Sequence, residues 1–147
     1  MKGRYLGTAE SCTGGSIAAA LTAVPGCSTV YKGGIISYTN QVKEALLGIE
    51  QVLLEQEGAV SAPVAEAMAL GAKKALLVDA AVSVTGLAGP AGDEFGNPVG
   101  TVFIGYCDEE HLTSRRFLFK GDRQSIINQS VEAALNIVLQ YNSEDEL

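Results

Sequence analysis

The chain has 147 residues, the size of one ordinary domain, and 47% of them are hydrophobic, enough for a sizeable core without metals or disulfides. A formal net charge of −7, with only 10 Lys and Arg and no basic run, excludes broad binding to a phosphate backbone, so no nucleic-acid partner is expected. Cys12, Cys27 and Cys107 form neither a CxxC pair nor a Cys/His ligand pattern, and no apolar run approaches the roughly 18 residues of a membrane span or the core of a signal peptide; reduced thiols in a cytoplasmic protein, with no metal and no membrane contact, are the expectation.

Residues 4–9 read as a short strand. Glu10-Ser-Cys-Thr-Gly-Gly15 follows, then a helix of small residues to about Val24, in which Ile17, Leu21 and Val24 share one face and Pro25-Gly26 forms the stop. Residues 34–39, rich in β-formers, predict a second strand. Asn40 is expected to cap a short helix over 41–47, and another short helix is expected over 51–57. Ser61 caps a longer helix opening at Ala62-Pro63, where Pro is tolerated. Residues 80–85 form a near-continuous apolar strand, the pattern of a strand covered on both faces.

A glycine-rich loop runs from Gly86 to Pro98, strands near 100–107 and 112–119 pair around Asp108-Glu-Glu110, and Asp122 caps a last helix with an apolar stripe at Ile127, Val131, Ala134, Leu135 and Val138. The order predicts an α/β fold, a three-layer α/β/α sandwich on a mixed central sheet, in a single domain over 1–147. The acidic end, 143–147, is expected to be a solvated, disordered tail.

Four places carry candidate chemistry. Glu10-Ser11-Cys12-Thr13-Gly14-Gly15 sets hydroxyls at a strand's carboxyl end beside free amides at a helix start, which suits an anion or an oxyanion; equally, Ser11 or Thr13 simply caps the helix. Tyr38 and Lys43 fall at the end of one strand and the first turn of the next helix, facing the same sheet edge. A cation in a first helical turn is unfavourable and its pKa tends to fall, although a plain surface lysine fits the pattern as well. A serine nucleophile needs a base, and His111, the only histidine, sits by an acidic turn with nothing to recommend it, so lysine is the better candidate, with the Tyr38 phenol as a proton relay. The loop carrying Thr85, Gly86, Ala88 and Gly89 can bring bare backbone to a ligand, or serve as a connection only. Arg123, at the start of the last helix, can fork onto a phosphate or stand exposed beside an ordinary Asp cap.

Six blocks occur in order: residues 8–15 (TAESCTGG), 34–40 (GIISYTN) with Lys43 and Leu47-Gly48, 58–61 (GAVS), 83–90 (SVTGLAGP), 98–102 (PVGTV) and 121–123 (GDR). Together they resemble the CinA C-terminal-domain family (competence/damage-inducible protein; nicotinamide-nucleotide amidase) over about residues 7–140.

That resemblance implies a cofactor-free amidohydrolase converting nicotinamide mononucleotide to nicotinic acid mononucleotide and ammonia, in pyridine nucleotide recycling. It implies Ser11 as nucleophile, Tyr38 and Lys43 as its activators, and Glu10, Thr13, Gly14, Gly15, Thr85, Gly86, Ala88, Gly89 and Arg123 on the substrate side, with the Thr13–Gly15 amides holding the oxyanion. A homodimer is the default oligomer. The family's domain usually carries an amphipathic helix before the first strand, for which the few residues ahead of Glu10 leave no room. Larger relatives add a pyrophosphatase-like domain; without it, no metal-dependent activity carries over. The rival class is a non-catalytic module that binds a nucleotide or a protein in the same pocket.

Overall fold

The structure, a computed structural model, describes residues 3–142, so the acidic tail expected at 143–147 lies outside the described residues. Five strands form one sheet: β1 (Leu6–Glu10), β2 (Tyr31–Ile36), β3 (Ala80–Gly86), β4 (Thr101–Cys107) and β5 (Leu112–Leu118). They lie in the order β2-β1-β3-β4-β5. β1 runs parallel to β2 and β3, whereas β3–β4 and β4–β5 are antiparallel, so the sheet is mixed.

The helices α1 (Ser16–Thr22) and α5 (Arg123–Asn142) cover one face. Helices α2 (Asn40–Leu47), α3 (Gln51–Glu57) and α4 (Ala62–Leu76) cover the other. This is the expected α/β/α sandwich. β3 shows why the pattern read correctly. Ala80, Val82 and Val84 pack with Val102, Ile104 and Ile126 toward α5, while Ala81 packs with Val64, Met68 and Ala72 of α4. A strand buried on both faces has no polar side to alternate with. Burial of each such Val or Ile contributes about 1.5–3 kcal/mol.

The α4 face of β3 and β4 is kept low. Ser83 and Thr85 send their hydroxyls to the Ala65 and Ala59 carbonyls, and a Cβ on Gly105 would collide with the Ala65 carbonyl. Close approach of α4 in turn seats α2, since a Cβ on Gly71 would strike the Leu47 carbonyl. The helix that carries Lys43 is thereby pressed against the layer beneath it.

Three boundaries differ from the sequence reading. β1 spans 6–10 rather than 4–9, because Asp79 and Ala80 take the Tyr5 carbonyl and the ladder starts at Leu6. β2 spans 31–36 rather than 34–39; Tyr31 pairs with Leu6, and the chain leaves the sheet at Ser37, whose N–H still donates to the Glu10 carbonyl. Thr39, not Asn40, caps α2: its Oγ1 accepts from Val42 N, and Asn40 is the first helical residue. The cap at Asp122 is as expected, with its carboxylate accepting from Ser125 N.

Candidate active site

β1 is central, yet the chain leaves it toward β2 on one side while β3 lies on the other. The carboxyl ends of β1 and β3 therefore frame a crevice of the kind α/β proteins use for ligands. Ser11 follows β1 directly and its N–H donates to the Val84 carbonyl, so the turn is fastened to both strands.

Glu10 organises this turn from beneath. It is 1% exposed, and its two carboxylate oxygens accept from the Thr13 hydroxyl and from the N–H groups of Gly15, Ile17 and Ala18. A carboxylate at a helix amino end satisfies orphan amides and the helix dipole together. Gly14 and Gly15 have φ of +57° and +104°, which lets the chain double back toward that carboxylate.

This arrangement corrects part of the sequence reading. The Gly14 N–H donates to the Ser11 carbonyl and the Gly15 N–H to Glu10, so neither is open to a substrate oxygen. Glu10 and Thr13 bond to each other, and none of these four residues lines the cavity. The N–H groups of Cys12 and Thr13 are the amides of the turn without a carbonyl or carboxylate acceptor among the described residues. Replacing Glu10 by Gln turns an amide NH2 toward buried N–H donors; a loss of about 2–3 kcal/mol is expected, read as a melting temperature lower by roughly 5–10 °C. An unchanged melting curve would mean that something other than Glu10 holds the turn.

Lys43 approaches Ser11 from the other side. The side chain is 1% exposed, and Nζ lies 3.1 Å from Ser11 Oγ, 2.8 Å from the Ser37 carbonyl and 3.4 Å from the Tyr38 carbonyl. Burial lowers its pKa from 10.5 to about 8, with the Cys12 thiol opposing slightly. As an ammonium, Nζ can donate to all three oxygens; as a neutral amine, two hydrogens serve the two carbonyls and the lone pair can take the Ser11 hydroxyl proton.

The Tyr38 phenol is not between them. Its side chain is 60% exposed and its hydroxyl lies 3.5 Å from Arg123 Nη2, so the expected relay has no path here; Tyr38 meets Lys43 only through its carbonyl. Because β2 ends at Ile36, the chain turns there: Ser37 stays buried with its N–H and hydroxyl on the Glu10 carbonyl, the Tyr38 side chain points outward, and the carbonyls of both residues line the lysine's end.

Ser11 and Lys43 open into a cavity of about 310 Å³. Thr85, Gly86, Ala88 and Gly89 line one wall and Arg123 the rim, where the guanidinium also donates to the Gly89 carbonyl. The loop beyond β3 is not slack: the Asp93 carboxylate accepts from Phe95 N, Asn97 N and the Asn97 amide, and Asn97 also donates to the Val60 carbonyl. Cys12 lines the cavity too, but burial lifts its thiol to about 11, which keeps it protonated. His111 stands at the far end of the sheet, paired with Asp108 at 3.0 Å. Among the described residues no helix is long and apolar enough to cross a membrane.

Sequence reasoning passed over Ser37 and Asn40. The Ser37 contribution is a carbonyl, which no side-chain pattern reveals. Asn40 sits one turn before Lys43 on the same helix face, a spacing that could have pointed to it.

Comparison with known proteins places the chain in a family. The CinA C-terminal domain model matches residues 1–142. A relative named nicotinamide-nucleotide amidohydrolase PncC, from Pseudomonas putida, is 47% identical over 137 residues, covering 93% of this chain and 86% of its own. A CinA-like protein of Desulfotalea psychrophila is 44% identical over 98% of this chain; the chain spans only 35% of that longer relative. Among solved structures, a CinA superfamily protein from Escherichia coli superposes with a TM-score of 0.92 at 37% identity, covering 94% of this chain and 80% of the other. The competence/damage inducible protein CihA from Agrobacterium tumefaciens gives 0.92 at 37% identity, covering 95% and 86%.

Proposed function

The chain belongs to the CinA C-terminal domain family, and we propose that it is an amidohydrolase that converts nicotinamide mononucleotide to nicotinic acid mononucleotide and ammonia, with Ser11 as nucleophile and Lys43 as base. The observation that carries the reading is the buried Lys43 amine 3.1 Å from the Ser11 hydroxyl at the floor of an open cavity. A buried lysine whose pKa is lowered to about 8 and which touches a serine hydroxyl is placed to take that hydroxyl's proton. The 47% identity to a named nicotinamide-nucleotide amidohydrolase over most of both chains supports the choice of substrate.

In the first step, the Lys43 amine takes the Ser11 proton as Oγ attacks the carboxamide carbon. The developing oxyanion is assigned to the Cys12 N–H, with that of Thr13 behind it; a donor in this role is worth about 3–4 kcal/mol. The Lys43 ammonium then protonates the leaving nitrogen, and ammonia departs. In the second step the amine takes a proton from water as its oxygen attacks the ester carbon, and the Lys43 ammonium then protonates Ser11 Oγ as the acid product leaves. Arg123 at the rim takes the phosphate, where two N–H groups can fork onto two oxygens. Tyr38 orients that guanidinium rather than relaying protons.

The experiment is ammonia release from nicotinamide mononucleotide by the purified chain, with the acid product identified by NMR. Release with stoichiometric acid is expected. A folded chain that binds the nucleotide and releases nothing would leave a binding module instead.

A further inference from the structure

Almost every polar side chain around the Ser11 cavity is already engaged. Ser11 bonds Lys43, Lys43 bonds two carbonyls, Thr85 donates to the Ala59 carbonyl, and Arg123 bonds the Gly89 carbonyl and the Tyr38 hydroxyl. Asn40 differs. It is exposed on the cavity wall, and its carboxamide has no hydrogen-bond partner among the described residues. It also lines a second cavity of about 280 Å³ that adjoins the first, so it stands at the junction of the two.

We propose that Asn40 is a specificity-determining residue, whose carboxamide reads the hydroxyls of the sugar attached to the aromatic amide. This rests on the amidohydrolase reading above.

Position and chemistry select the sugar. Asn40 and Lys43 are three residues apart on α2 and so share a face, with Asn40 about 4.5 Å further along the helix axis toward its open end. The reacting amide must lie at Ser11 and Lys43, and the phosphate, which only accepts hydrogen bonds, goes to the donor-only guanidinium of Arg123. The group between them is the ribose. Hydroxyls both donate and accept, and a carboxamide offers one of each. Asn40 is exposed, so its carboxamide exchanges water for the sugar hydroxyls, and an analogue that lacks them forfeits those direct contacts. Such a contact is made equally before and during reaction, so it acts on KM.

The test compares nicotinamide mononucleotide with its 2′,3′-dideoxyribosyl analogue, on wild type, Asn40→Ala and Asn40→Ser. Wild type is expected to show a KM roughly tenfold or more higher for the dideoxy analogue, and Asn40→Ala to raise KM for the ribotide by a similar factor, with kcat within about twofold. Asn40→Ala should no longer distinguish the two compounds, while Asn40→Ser, which keeps a donor and an acceptor on a shorter arm, should recover part of the distinction. The proposal is overturned if Asn40→Ala discriminates as sharply as wild type, or if kcat falls while KM holds. Absence of ammonia from the wild type with the ribotide overturns the amidohydrolase reading first, and this inference with it.

Discussion

Ser11→Ala is expected to lower ammonia release from nicotinamide mononucleotide by roughly 10⁴-fold or more, as losses of a nucleophile do in related hydroxyl chemistry. The effect should be on kcat, with nucleotide binding within a few-fold of wild type. Oγ has one side-chain partner, Lys43 Nζ at 3.1 Å, and the turn itself is held by the Ser11 backbone and by Glu10. Folding stability should therefore change by no more than about 1 kcal/mol. This separation is what makes the variant informative: a folded, ligand-binding, inactive protein assigns the hydroxyl to chemistry. Near-normal turnover would sink the nucleophile assignment, and the neighbouring thiol is a poor substitute, since burial holds Cys12 protonated at about 11.

Lys43→Met carries the second large effect, on rate and on pH dependence. Turnover should fall by about 10³-fold or more. In the wild type the amine must be neutral to act, so kcat/KM should climb about tenfold per pH unit below the lysine's pKa of about 8 and level off above it. Residual activity of Lys43→Met should lack that limb. If the variant keeps the wild-type profile, the base lies elsewhere.

Stability gives an independent readout. Burial holds the folded pKa near 8, below the ordinary 10.5. Between those values the unfolded chain binds more protons than the folded one, so wild-type stability should rise with pH across that window. Below about 8 both states are protonated and the burial penalty of the ammonium applies in full. Lys43→Met loses both that penalty and the bonds to the Ser37 and Tyr38 carbonyls, so its stability at pH 7 is not the readout; it should lose the alkaline rise, as thermal denaturation at pH 7 and pH 9.5 would show.

The neighbours of these two residues show where a linear reading stops. The Glu10-to-Gly15 block reads correctly as a strand-to-helix turn, because the glycines and the small-residue helix are local signals. Its amides do not read correctly. Whether Gly15 N–H faces a substrate or the Glu10 carboxylate depends on a carboxylate folding back five residues, and helix capping by an acid from inside a strand leaves no spacing signature. Tyr38 fails for a related reason. Its distance from Lys43 suits a relay, but β2 ends three residues earlier than its β-formers suggest, since pairing with β1 begins at Tyr31, and the phenol is thrown outward to Arg123.

The sequence by itself determined the layered α/β architecture, the order of its elements and the family they belong to. Hydrophobic periodicity, caps and glycine stops are encoded within a few residues of where they act, and the six motif blocks mark one family. Tertiary structure alone decided which groups meet. Seating α4 against β3 and β4, and α2 against α4, brings Lys43 from 32 residues away to the Ser11 hydroxyl and strips it of water, and that burial is what lowers its pKa. The same packing claims the Gly14 and Gly15 amides and leaves the Asn40 carboxamide without a partner among the described residues at the cavity wall. Proton affinity and hydrogen-bond vacancy depend on everything that surrounds a group in space, which no stretch of sequence around it contains.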